Sequence, residues 1–343
     1  MTGLIQPTIR FIGIAALGAM LISFSSCINE KPDKNCNVAV TFNVTTDTGW
    51  LPDYDFVYSR TDDIGADDIE MEYIFQIYNQ GETSNPVKSF SMYRDDLTSG
   101  PFSVDLTLNA GNYDVYVWSD FYDASKSAPL FYNANDFGAI TYLTPYKGDS
   151  NLKDAFRGAT SFTVKGGVHA SVDINLSRPL ARYKIIATDL DDYENLSEVI
   201  DSYTVMVVYP LFMPAVFDNF IDKPIDSWTG ISFPSTMEIL WGDGNQTEED
   251  PEAGYLSGGI QGVELGMDYV MMNGESSNVQ VALEIYDDTG KLVGNSSTFS
   301  IPTVRNRTTL VYGDFLTTTE GGEITINPKF DGQYNIEYTY EEN

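Results

Sequence analysis

Apolar and polar side chains alternate with a period of two along much of this chain. Val38, Val40, Phe42 and Val44 alternate with Ala39, Thr41 and Asn43. The same pattern returns at Tyr73, Phe75 and Ile77, at Phe102, Val104, Leu106 and Leu108, and at Tyr113, Val115 and Val117. It returns again from Val168 through Ala170, Val172 and Ile174 to Leu176, and at Val279, Val281, Leu283 and Ile285. Such runs bury one face and hydrate the other, as antiparallel strands packed face to face do. Turn chemistry falls between them. Asn109-Ala110-Gly111-Asn112 precedes one strand, and Asp287-Asp288-Thr289-Gly290 is a hairpin signal between Ile285 and Leu292. Many short strands at this spacing predict an all-β protein built from β-sandwiches.

One helix is predicted, over Asp191–Ile200, with Tyr193, Leu196 and Ile200 on one side but no clear C-cap. Pro179 cannot donate to a ladder, so the stretch Ser177–Pro179 reads as a crossover between two domains. The first domain runs over residues 37–177 and the second over 178–343. No repeat in the sequence joins them. At the end of the chain Tyr334, Ile336, Tyr338 and Tyr340 alternate with polar residues after Asp331-Gly332. This is either the last strand of the second sandwich or a donor strand for another subunit.

The N-terminus breaks the strand pattern. Residues Phe11–Phe24 are almost wholly apolar, follow Arg10, and lead through Ser25 and Ser26 to Cys27. A weakly basic start, a short apolar core and small residues before a cysteine predict a lipoprotein signal peptide over residues 1–26. The run is short for a bilayer span of about 20 residues. Cys27 is the predicted lipid attachment point, so anchoring is expected through acyl chains. Residues 27–36, polar and bearing Glu30, Pro32 and Asp33, form a tether. The acidic stretch after the cysteine resembles the export signal that places Bacteroidota lipoproteins on the outer face of the outer membrane.

Composition narrows the partners. The 343 residues carry 19 Lys and Arg against 50 Asp and Glu, a net charge of −31, and 13% are aromatic. That charge excludes nucleic acid as a partner and suits a surface protein in a salt-containing medium. With Cys27 lipidated, Cys36 has no internal partner for a disulfide, so packing must hold the fold.

Several segments resemble a known group. Phe102–Asp123, Pro129–Phe137, Asn151–Val164, Ser177–Leu190 and Met213–Phe233 resemble an uncharacterised domain of Bacteroidota lipoproteins. Ile301–Thr317 resembles a segment of fimbrillin-like proteins, and the N-terminal stretch from Ser25 to Phe42 is similar to that of fimbrial anchor and minor-subunit lipoproteins. The resemblance implies two transthyretin-like antiparallel β-sandwich domains in tandem. It also implies fimbrial subunits as partners.

Catalytic chemistry is sparse. His169 is the single histidine and sits mid-strand among polar positions, which points it to solvent. A Cys36–His169 dyad has no supporting motif, and there is no phosphate loop and no GxSxG. With these counts no His/Cys metal cluster forms, and no carboxylate pair is singled out for glycosidase work. No enzyme activity and no cofactor are expected. Asp62, Asp63, Asp67 and Asp68, or Asp243 with Glu248–Asp250, could offer oxygens to calcium but read first as solvated loops. Of Trp50, Trp118, Trp228 and Trp241, Trp118 reads as core. Trp228 follows Pro224 and Asp226 in a loop-like stretch and is the candidate glycan contact. Two functions follow: a fimbrial-type structural, anchor or accessory subunit assembling through β-strands, or a surface glycan-binding lipoprotein of a nutrient-uptake system.

Overall fold

The computed structural model describes residues 37–47, 68–94, 100–187, 203–241 and 260–313, Phe315, and three short paired segments beyond it. Among them the protein is all β apart from short 3-10 turns. The strands of the first half are β1 (Val38–Thr46), β2 (Ile69–Asn79), β3 (Lys88–Arg94), β4 (Phe102–Leu108), β5 (Gly111–Asp123), β6 (Ala128–Pro129), β7 (Tyr132–Asn133), β8 (Ile140–Tyr142), β9 (Ala155–Val164) and β10 (Ala170–Leu176). The second half continues with β11 (Leu180–Ala187), β12 (Tyr203–Tyr209), β13 (Met213–Asp218), β14 (Lys223–Trp228), β15 (Ile231–Ser235), β16 (Glu238–Trp241), β17 (Ile260–Met271), β18 (Ser276–Asp287), β19 (Leu292–Asn295), β20 (Phe299–Val304) and β21 (Thr308–Gly313). The short pairs are β22 (Thr318–Thr319), β23 (Glu323–Ile324) and β24 (Asn335–Ile336).

In the first half, a three-stranded sheet β10-β1-β4 faces a sheet β3-β2-β5, with β9 on the far side of β5. Phe42 of β1 lies 6.2 Å from Phe75 of β2, near-parallel at 11°, and edge-on to Phe162 of β9 at 5.5 Å. Apolar rings from the two inner faces thus interlock across the core, as sandwich packing requires. The second half repeats the scheme. β17-β11-β21 faces β15-β12-β18, with β20 beside β18.

The repetition is complete at the level of pairing. β1 pairs antiparallel with β4 and parallel with β10, and β11 pairs antiparallel with β17 and parallel with β21. β2 pairs with β3 and β5, and β12 with β15 and β18. β5 then pairs with β9, and β18 with β20. The expectation of antiparallel sheets therefore needs one amendment in each half: the first strand returns alongside the last in parallel. A parallel neighbour needs a long crossover. Here the other strands of each half supply it, which no local turn signal could announce.

The alternating runs lie where the sequence placed them, with one trim. Val168 is 58% exposed and precedes β10, which begins at Ala170. The β18–β19 hairpin closes on Asp287, whose Oδ1 accepts from Thr289 N, Thr289 Oγ1 and Lys291 N, with Gly290 at φ +76. Asp191–Ile200 lies outside the described residues.

A fifth sheet, β14-β13-β8-β7, draws two strands from each half. Val216 and Phe217 of β13 pair with Thr141 and Ile140 of β8. It lies beside Trp118 of β5, whose ring is 5.5 Å from Tyr132 and 6.0 Å from Phe217. β5 is consequently buried on both faces from Val117 to Phe121.

Candidate functional site

The strand nearest the predicted tether is paired along both of its edges. Val38, Val40, Phe42 and Val44 of β1 all point into the core and are 4% exposed or less. Complete burial of such side chains stabilises by about 1.5–3 kcal/mol each. Their register partners are apolar on both sides: Val40 meets Leu106 and Ala170, Phe42 meets Val104 and Val172, and Val44 meets Phe102 and Ile174.

The outward face of β1 carries a second set of bonds. Thr41 Oγ1 donates to Asp105 Oδ1 at 2.6 Å and lies 2.9 Å from His169 Nε2. Asn43 Nδ2 donates to Ser171 Oγ and Asp173 Oδ1 at 3.0 and 2.9 Å, and its Oδ1 accepts from Ser103 Oγ. Thr45 Oγ1 donates to Asn175 Oδ1 at 2.5 Å. β1 therefore fills a slot between β4 and β10, apolar beneath and polar above. Without β1 the slot would be a groove shaped for one extended segment with alternating apolar residues. His169 is exposed, as the sequence suggested, but lies just before β10 and bonds to Thr41 only through its side chain.

A buried polar cluster locks the two halves together. Residues 149–154, with the 3-10 turn Asn151–Lys153, carry it from the first half. Lys153 Nζ is fully buried, 2.6 Å from Asp268 Oδ1 of β17 and 2.5 Å from Tyr146 Oη. Tyr146 and Tyr209 each donate to Asp268 Oδ2, at 2.5 and 2.6 Å, and Tyr183 Oη lies 2.7 Å from Tyr209 Oη. Burial pulls the Lys153 ammonium down to about 8, and the Asp268 carboxylate limits the fall. Burial, followed by the charge of Asp268, pushes the Tyr146 and Tyr209 phenols well up, so they act here as donors. A second pair sits beside it. Arg178 straddles Asp154 with bonds of 2.6 and 2.8 Å and reaches Asn306, whose Nδ2 donates to Asp47 just beyond β1. Lys153 is fully buried, and its ammonium is bonded within the cluster.

The residues named from sequence fare unevenly. Cys27, Cys36, Trp50, Asp62, Asp63, Asp67, Asp243 and Glu248–Asp250 lie outside the described residues, as does the side chain of Trp241. Among the described residues no group of three or more His, Cys, Asp or Glu could hold a metal ion, and no helix is long and apolar enough to cross a membrane. Trp228 is not the exposed loop residue expected. It ends strand β14, is half-buried, and its ring stands 6.2 Å from that of Tyr142. Pro224 misled the reading, because β14 is an edge strand of its sheet and an edge tolerates proline. Sequence reasoning missed Lys153 and Asp268. For Asp268 the signal was a charge inside an otherwise apolar stretch, whereas Lys153 sits among polar neighbours and gave none.

This architecture is that of a tandem β-sandwich protein whose N-terminal strand is the middle strand of its sheet. The chain belongs to the family of unknown function DUF6562, whose model matches residues 32–342. No curated protein shows significant similarity to it. Among solved structures it is similar to the fimbrial anchor protein Mfa2 from Porphyromonas gingivalis, at 8% identity and a TM-score of 0.41, covering 82% of this chain and 93% of that one. It is also similar to the tip fimbrial protein Mfa3 from the same organism, at 9% identity and TM-score 0.39, covering 82% and 96%. A fimbrial assembly protein from Parabacteroides distasonis matches at 11% identity and TM-score 0.40, covering 81% and 91%.

Proposed function

We propose that this chain is a lipoprotein of the outer membrane, tethered at Cys27 and displayed at the cell surface. In this reading it is a fimbrial-type anchor, structural or accessory subunit, without enzymatic activity, that joins its partners by β-strand addition. One observation carries it. β1 begins one residue after Asn37, lies beside the tether in sequence, and occupies a central slot with both faces satisfied. A central strand supplied from a chain end is the arrangement in which one strand can stand in for another. The segments resembling fimbrillin-like and fimbrial anchor lipoproteins support the same reading. The half-burial of Trp228 removes the main support for a glycan contact at that residue.

The test is isolation of the full-length protein from cells under mild detergent, with Cys27→Ala alongside. The expected result is co-isolation with a filament of repeating subunits, with labelled palmitate in the wild type and none in Cys27→Ala. Recovery of the protein alone, spread evenly over the envelope with no filament, overturns the assembly role. Label in Cys27→Ala overturns the anchor.

A further inference from the structure

The outer face of the sheet β3-β2-β5 is not flat. The strap of residues 129–135 rises over it and encloses a groove of about 370 Å³, within the range of about 300–1,000 Å³ typical of ligand pockets. The floor is set by strand register. Tyr93, Glu72 and Asp120 form one row across three strands; on the same face Ile74 pairs with Ser91 one step along, and Gln76 with Ser89 two steps along. Asn133 and Asn135 come from the strap.

The deepest group is unusual. Asp120 is 2% exposed, yet its Oδ2 has no hydrogen-bond partner. Glu72 stands opposite it on β2 at 8% exposure and accepts from Tyr93 Oη at 2.9 Å. Burial, and then the neighbouring Glu72 charge, pushes the Asp120 carboxyl well up, toward a neutral acid that both donates and accepts. Trp118, two residues back on the same face of β5, offers its Nε1 toward the same carboxyl and opposes that rise, without lining the groove itself. A buried polar atom left without a partner is costly, and that of Asp120 lines a cavity with room for a ligand to supply the partner.

The wall chemistry selects the ligand. No Lys or Arg lines the groove, so an anion finds no counter-charge. A divalent cation would find only two carboxyl groups, fewer than the oxygens such ions gather. What remains is carboxyl, amide and hydroxyl groups beside the Tyr93 and Tyr122 rings, whose centroids are 4.8 Å apart. Tyr93 is 45% exposed. We propose that this groove is a binding site for a neutral sugar ring, whose hydroxyls bond to Asp120, Glu72 and the strap asparagines while a ring face rests on Tyr93. The site is separate from the slot filled by β1 and does not depend on the assembly reading.

The test uses the purified full-length chain against a panel of neutral oligosaccharides of glucose, mannose, galactose and xylose, with calcium chloride and poly-lysine as competing chemistries. At least one oligosaccharide should bind, with binding weakened at least ten-fold by Tyr93→Ala and by Asp120→Asn at unchanged melting temperature. Tyr93→Phe should retain binding better than Tyr93→Ala. Asn135→Ala, at an exposed position, provides a variant with little risk to folding and should weaken binding several-fold. Failure of the whole panel overturns the site. So does binding that all four variants leave intact, or binding confined to calcium or poly-lysine.

Discussion

The two halves share every main strand pairing and differ at their edges. In the first half the sheet around β1 ends at β4 on one side and β10 on the other. In the second half the corresponding edges are covered: β16 adds to β17, and β24 adds to β21 through Thr309–Ile336 and Leu310–Asn335. Unpaired edges invite another strand, and proteins usually cover or blunt them. The second half has followed that rule. Among the described residues the first half leaves β4 and β10 without a further strand, and β10 is the positional equivalent of the strand that receives the chain's own C-terminal segment. The same topology thus occurs once with both sheet edges extended and once, among the described residues, without those extensions.

The sharpest way to break the comparison is to remove the central strand from one half. Deleting residues 37–47 should cost the first half its cooperative unfolding while the second half retains its near-UV signal. Added Val38–Thr46 peptide should restore the lost transition. A single unchanged transition in the deletion protein would refute the central role of β1. Next in size is Asp268→Ala, which strands the buried Lys153 ammonium at the junction. Breaking a buried pair by removing one partner costs about 3–5 kcal/mol. Denaturant unfolding should show that loss and separate one transition into two. A single transition with unchanged midpoint would mean that the junction does not couple the halves.

A smaller effect comes from the protonation of Lys153. Its folded value, about 8, lies below the 10.5 of the free side chain. Between those values the unfolded chain binds more protons, so stability should rise with pH. The slope is about 1.4 kcal/mol per pH unit at most. Unfolding measured from pH 8 to 9.5 should show this rise in the wild type relative to Lys153→Met, and parallel curves would refute it. The smallest effect belongs to the tail. Deleting Gly332–Asn343 removes the β24 pairing and should lower stability by about 1 kcal/mol, in line with a few hydrogen bonds. An unchanged melting temperature with loss of filament partners would instead mark the tail as a donor.

The strands were legible because each buries one face, and a period of two survives any rearrangement of partners. Val38–Val44 and Phe102–Leu108 needed no context to be read. Partners were another matter. The parallel return of β10 to β1 joins residues about 130 apart in the chain, and nothing local encodes it. The alternation also failed where a strand is buried on both faces: after Val117, β5 continues Trp118-Ser119-Asp120-Phe121, all buried. Such strands lose their alternation. The polar residues within that stretch were the visible trace of the groove above it. Asp268 was hidden similarly, inside the apolar run of β17.

β1 also has a mechanical meaning. In the proposed tethering, any pull on the protein from the membrane enters the fold at Asn37 and runs along the strand axis. The ladder bonds to β4 and β10 lie across that axis. They must therefore yield together in shear, since a pull along the strand does not peel them one at a time. Asn306 adds a clip from the second half to Asp47 just past the far end of β1. The first strand then acts as a bolt set between two plates, and the rate at which it slips would set how long the protein withstands flow at the cell surface.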